Sequence, residues 1–457
     1  MQSSLQRIVS IRISSITSYF LIAGSIISYL LIAYYTQRTD HLQLFLSYTF
    51  VCAAYLLLLR SGISNRELLA SSILFRLLFL LAVPALSDDF YRFIWDGSML
   101  EAGINPFAYT PDELLNSGRD LSMKYLDIYP LLNSQPNPTI YPPTNQFVFW
   151  IAAAIGQGNV LHATLVMRVF ALLAEFMSLY FIRALLVRYG MDTRKMFLYA
   201  LNPLVIIELT GNLHFEFFMV LFTIASLYFL HRHLTVLSGL SMSFAIASKL
   251  LPLMFLPFFL KRIRIKKFMI WLAVIFPLSF LLFLSLLDND FISGMQSSAS
   301  LYFKKFEFNA SIYYLVREVG YWLYGYNIIQ TAGPRLALAA FVLILLAFIF
   351  EKYNEEKLPV TLMWPLFIYL ALASIVHPWY IIPLVAFSVF SHYRFPVVWS
   401  FAAFFSYAGY NAYGFEHPYL IYALEYILVF GVAVYELKRK FPFGISGLKQ
   451  LKQSFTS

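Results

Sequence analysis

SDDFYRFIWDGSMLEAGINPFAY, residues 87–109, begins where a long apolar segment ends, and its reading decides how the rest of the chain is arranged. In helical register Asp89, Arg92 and Asp96 share one face, because positions i, i+3 and i+7 line up. Two adjacent carboxylates, Asp88 and Asp89, at the mouth of a membrane helix are costly to keep unless they bind or react with something. The segment they open, Ser87 to Asn145, holds Asp88, Asp89, Asp96, Glu101, Asp112, Glu113, Asp120 and Asp127, eight of the 24 acidic residues, against Arg92, Arg119 and Lys124.

Composition sets the class. The chain of 457 residues is 60% hydrophobic and 12% charged, with mean hydropathy +0.69, whereas charged residues make up roughly a quarter of a soluble domain. Many apolar runs reach the ~20 residues that cross a hydrocarbon core. They are continuous and rich in Leu, Ile and Phe, which excludes the short alternating segments of a β-barrel. The expectation is an all-α polytopic membrane protein whose first helix stays as an anchor, since no cleavage pattern follows it. The net charge of +9 reads as cytoplasmic loop charge and not as a nucleic-acid surface. A single cysteine, Cys52, excludes an intrachain disulfide or a cysteine metal cluster.

Arg7 and Arg12 before a first span at 14–34 place the N-terminus in the cytoplasm. Spans at 42–60 and 69–86 follow, so that Asp88 and Asp89 emerge outside. TIYPPTNQFVFWIAAAIG (139–156) reads as an interfacial or re-entrant helix started by Pro142 and Pro143. Spans are expected at 163–188, 196–211, 214–231, 235–249, 251–262 and 268–287. A second large outer segment, 288–334, carries an amphipathic helix, and five spans lie at 335–350, 358–376, 379–393, 396–411 and 419–437. That makes about fourteen transmembrane helices, a single domain with two leading helices (1–68) and two large outer loops (87–145 and 288–334). Arg183, Arg188, Arg194, Lys195, KRIRIKK (261–267), Lys352, Lys357 and Lys438–Lys440 fall inside. Asp88/Asp89, Glu208/His214/Glu216, Lys249 and His377 all fall outside.

Each of these residues has a plain structural reading beside the chemical one. Ser87 and Asp88 can cap a helix, with Asp88 pairing Arg92 at i,i+4. A cap needs one short polar side chain, however, so Asp89 stands as a candidate general base. Glu208 and His214 lie in an outer turn, ELTGNLHFE, able to bind substrate; His214 and Glu216 are two apart and make a poor metal pair on a helix. Lys249, beside a break at Pro252, either snorkels to an interface or anchors a phosphate. His377, with Trp379 and Tyr380 in HPWY, can orient a phosphate or a sugar hydroxyl.

In their order along the chain, SDDFYRFIWDG, GINPFAY, TIYPP, NPL…GNLHFE, SKLLPLMFLP, FEFNASIYYLVR and HPWYIIP resemble the GT-C superfamily of polyprenyl-phosphate-sugar-dependent glycosyltransferases, and within it the bacterial integral membrane mannosyltransferases. The resemblance covers about Ser87 to Pro383. It implies a polyprenyl-phosphate mannose (or other hexose) donor, an extracytoplasmic lipid or glycan acceptor, an inverting transfer, and a plasma-membrane location with the active site on the outer face. By the spacing to Gly97, Asp89 matches the catalytic base and Asp88 a neighbour of it. His377 resembles the active-site histidine and Lys249 a donor-phosphate contact, with Arg92, Asp96, Tyr141, Glu208, His214, Trp379 and Tyr380 as substrate-binding candidates. In two respects the chain departs from the pattern. The carboxylate loop follows a third span, so the leading helices read as an addition, and Phe215–Glu216 stand where relatives carry a small polar pair. The resemblance implies no one cofactor, since some members of the superfamily need a divalent cation and others do not; Asp88/Asp89 with His214 could bind one. The competing class is a flippase or exporter of lipid-linked sugars; carboxylates gathered in one outer loop, and not strung along several helices, favour the enzyme.

Overall fold

The computed structural model describes residues 13–118, 123–284, 286–287, 303–351 and 358–440, with Gly294, Gln296 and Ser300. The expectations for Arg7, Arg12, Arg119, Asp120, Lys352, Lys357 and most of 288–302 lie outside the described residues. Among those residues the chain is helical apart from a two-strand ribbon, β1 (Tyr410–Asn411) with β2 (Gly414–Phe415).

Two leading helices, α1 (Ser15–Tyr34) and α2 (His41–Leu58), pack on each other across a short loop. α3 (Asn65–Leu77) starts at a capping box between Ser64 and Glu67. It ends earlier than the expected span 69–86, and turns carry the chain to Ser87. α4 (Asp89–Glu101) crosses α5 (Pro143–Gly156), the helix expected at TIYPPTNQ. Pro143 opens α5 where a backbone N–H would have no partner in any case. The two helices touch at Gly97, where a Cβ would strike the Phe149 carbonyl.

α6 (Val160–Arg188), capped by Asn159, runs beside a broken element. Pro203–Gly211 and α7 (Glu216–His231) meet at 115°. A break inside apolar surroundings frees carbonyls that must be satisfied internally. Arg168 of α6 does this, donating to Thr210 O (2.8 Å), Gly211 O (3.2 Å) and Leu80 O (2.9 Å). The turn expected between 196–211 and 214–231 is buried, with Glu208 fully enclosed and His214 nearly so. α8 (Thr235–Ser248) packs on α7 and on α9 (Ile265–Leu284). The expected amphipathic helix is α10 (Ile312–Tyr324), with Tyr313, Tyr314 and Arg317 turned inward and Leu315, Val319 and Trp322 exposed. α11 (Ile329–Phe350), α12 (Leu358–Leu372) and α13 (Tyr419–Lys440) are the remaining long helices among the described residues.

Six of these helices (α1, α2, α6, α9, α11, α13) are long and apolar enough to cross a membrane alone, and the bent pair makes up to seven. The all-α polytopic expectation holds. The spans expected at 235–249, 251–262, 358–376, 379–393 and 396–411 are shorter apolar helices. At 14 residues, α8 reaches only ~21 Å at ~1.5 Å per residue, short of a ~30 Å core. Proline at 252, 365, 378 and 396 interrupts or opens these runs. Hydropathy alone cannot see the difference.

Candidate active site

One cavity of about 400 Å³ opens between the start of α4, the Ile140–Asn145 segment, the break before α7, the end of α8 and the HPWY turn. Asp89, Tyr141, His214, Lys249, His377, Trp379 and Tyr380 all line it. Seven residues named from separate stretches thus share one wall.

Asp89 is the first residue of α4. Its backbone N–H reaches Ser87 Oγ (3.3 Å), and Asn133 Nδ2 donates to Asp89 Oδ1 (2.9 Å). Asp89 Oδ2 lies 3.9 Å from His214 Nδ1. Burial in the recess pushes the carboxyl up to about 6, against the stabilising hydrogen bond from Asn133, with Asp88 and Glu216 adding to the rise and Arg38 opposing it. Asp88 behaves differently. Its side chain caps nothing and does not pair with Arg92; it turns to Arg38 of the leading hairpin, 2.5 Å away.

On the far side of His214, Nε2 is 3.4 Å from Glu208 Oε2. Glu208 accepts hydrogen bonds from Asn212 Nδ2 (2.9 Å) and the Tyr407 hydroxyl (3.1 Å). Glu208 is therefore a buried support behind the cavity wall. Trp379 lies between two imidazoles, with ring centroids 3.4 Å from His214 and 4.4 Å from His377, both nearly parallel. The indole fixes both rings in orientation.

Lys249 sits where α8 ends in extended backbone, as its proline-flanked position suggested. Its ammonium pairs with Glu216 and stands 3.7 Å from the centroid of the Tyr380 ring. Glu216, which the sequence left without a role, is thus the partner of Lys249. Behind it Asn145 Nδ2 donates to Ser248 O (3.0 Å), tying α5 to the end of α8.

Arg92 and Asp96 do not line the cavity. Both are buried, joined at 2.7 Å, and Asp96 also accepts from Thr139 and from Gln146 (3.0 Å), while Arg92 donates to Asn137 O (2.8 Å). They fasten the TIYPP segment to α4 and so carry Tyr141 to the cavity edge, instead of touching what fills it. The set Asp88/Asp89/His214 does not converge, because Asp88 is engaged by Arg38. Among the described residues no three His, Cys, Asp or Glu side chains could hold a metal ion.

Sequence reasoning missed Asn133 and Arg38, which act from loops without a helical pattern, and Phe303 and Tyr369, which complete the apolar flank with Leu250, Leu251 and Met254.

A profile described as alpha-(1->6)-mannopyranosyltransferase, N-terminal domain, matches residues 10–264. A search of curated proteins finds no match. The matched region begins ahead of α1 and takes in the leading hairpin. It holds Asp89, His214, Glu216 and Lys249; the HPWY turn lies beyond it and reaches the same cavity by folding. Because the match takes in more than half of the chain, this membrane protein belongs to the alpha-(1->6)-mannopyranosyltransferase family and is a mannosyltransferase.

Proposed function

We propose that the protein moves mannose from a polyprenyl-phosphate donor onto a lipid or glycan acceptor outside the plasma membrane, with inversion and with Asp89 as general base. One observation carries this reading: the carboxylate of Asp89 and the ammonium of Lys249 line a single cavity whose flank is apolar. An acceptor hydroxyl beside Asp89 attacks the anomeric carbon from one side and gives its proton to the carboxylate. The phosphate leaves from the other side, toward Lys249, with His377 and Trp379 against it. A phosphate leaving group makes proton loss late, so a carboxylate is a sufficient base. Inversion of a β-linked donor gives the α-linkage of the family's name. The flank of Leu250, Leu251, Met254, Phe303 and Tyr369 suits the first isoprene units of a lipid donor.

The test is purified full-length protein in detergent, supplied with labelled polyprenyl-phosphate mannose and an α-mannoside acceptor, with GDP-mannose as a parallel donor. Transfer is expected from the lipid donor alone. Asp89→Asn is expected to lose roughly 10²–10⁴-fold in kcat, the range for a general base. Transfer from the nucleotide sugar would overturn the donor assignment, and wild-type rates from Asp89→Asn would overturn the base.

A further inference from the structure

Two adjacent aspartates open α4, yet one lines the cavity and the other does not. Carboxylates side by side in one recess oppose each other's ionisation, and a base shared in that way would stay protonated to higher pH. The leading hairpin removes the conflict. Arg38 Nη1 is 2.5 Å from Asp88 Oδ2, and both side chains are about a third exposed, at 31% and 32%. The guanidinium also stands 4.6 Å from the centroid of the Tyr410 ring. Tyr410 is held in turn, since its carbonyl is 2.6 Å from His41 Nε2 at the head of α2 and it pairs with Phe415 in the small ribbon. Asp40 Oδ2 accepts from Gln37 N (3.0 Å) and shapes the loop that presents Arg38. Three segments distant in sequence therefore converge on one contact to Asp88.

We infer that Arg38 is a positioning residue for mannosyl transfer: it draws Asp88 off the cavity and offsets its charge, leaving Asp89 alone to meet the acceptor. The inference rests on the reading of Asp89 as base. The groups facing Asp89 are Asp88 and Arg38 at the hairpin side, His214 and Glu216 at the broken helix with Lys249 beyond, Glu208 behind His214, and the Tyr407 and Tyr410 phenols. Apart from burial and the Asn133 hydrogen bond, Asp88 and Arg38 act on Asp89 with opposite sign. Loss of Arg38 therefore leaves Asp88 uncompensated and makes Asp89 harder to ionise.

The test is the pH profile of kcat/KM for full-length protein with polyprenyl-phosphate mannose and an α-mannoside, for wild type, Arg38→Ala, Arg38→Lys, Asp88→Asn and the double variant Arg38→Ala/Asp88→Asn. The acid limb of Arg38→Ala should move to higher pH by about half a unit or more, the scale of one screened charge at short range. Arg38→Lys should keep the wild-type limb, and Asp88→Asn should move it to lower pH. The double variant should return it toward wild type, which a merely structural arginine would not do. An unshifted limb in Arg38→Ala, or a double variant worse than either single one, overturns the inference. Activity surviving in Asp89→Asn would instead overturn the base on which it rests, so the two failures are separable.

Discussion

Asp89 differs from Asp88 by a single position and by everything around it. One carboxylate meets a neutralising guanidinium at the protein's edge; the other lies in a recess, held by one amide and near one imidazole. The recess raises its pKa to about 6, and in its proposed role as base Asp89 must be ionised to work. The rate at limiting substrate should therefore be level at neutral pH and fall about tenfold per unit below that value. The Asn133 hydrogen bond favours the charged form, so Asn133→Ala should carry the acid limb to higher pH by roughly half a unit, a modest figure because the contact is solvent-exposed. A pH profile of kcat/KM reads both effects. A limb that stays in place in Asn133→Ala would mean that the amide does not bear on the base. His214, clasped between Glu208 and the Trp379 ring, keeps a fixed orientation on the other side of Asp89.

At the scale of elements, the site depends on close crossings and on a break. α4 can bring Asp89 to the cavity because it lies against α5 with no side chain between them at Gly97. Gly97→Ala would drive a methyl into the Phe149 carbonyl and push the two helices apart. Overpacking of this kind costs about 1–3 kcal/mol. A lowered thermal midpoint in detergent is expected together with reduced transfer; a variant that melts like wild type would show that the crossing can relax. The bent element between Gly211 and α7 is the other device. A continuous helix would have carried His214 and Glu216 along its axis, whereas the 115° bend turns both to the cavity, and Arg168 satisfies the carbonyls this frees.

Over the whole molecule, the cavity draws on residues from Asp89 to Tyr380, with Phe303 of the second large loop in its lining. The hairpin α1–α2 reaches the same end of the bundle through Arg38 and His41. Our proposal, from charge asymmetry, is that this end lies outside the cell. Asn116, at the exposed end of a short helix in the first loop, provides the test. Introduced as cysteine, with the buried Cys52 replaced by serine, it should react with an impermeant maleimide on intact cells. Labelling only after permeabilisation would reverse the side assignment and with it the location of the active site.

The membrane class, the helical content and the amphipathic helix at 312–324 followed from sequence by itself, because hydrophobic length and period are local properties of the chain. So did the candidates Asp89, His214, Lys249 and His377, since polar groups in apolar stretches announce themselves by their cost. Which of them meet was another matter. The short helices at 235–248 and 358–372 looked like full spans because hydropathy does not register where a helix breaks. Arg92 and Asp96 looked like substrate contacts because helical spacing gives a face but not what covers it; packing against α5 turned that face to Thr139 and Gln146. The division of labour between Asp88 and Asp89 needed the leading hairpin, fifty residues earlier in the chain, to place Arg38 beside one of them. Contacts across such separations are set by how helices pack, and only the tertiary structure decides them.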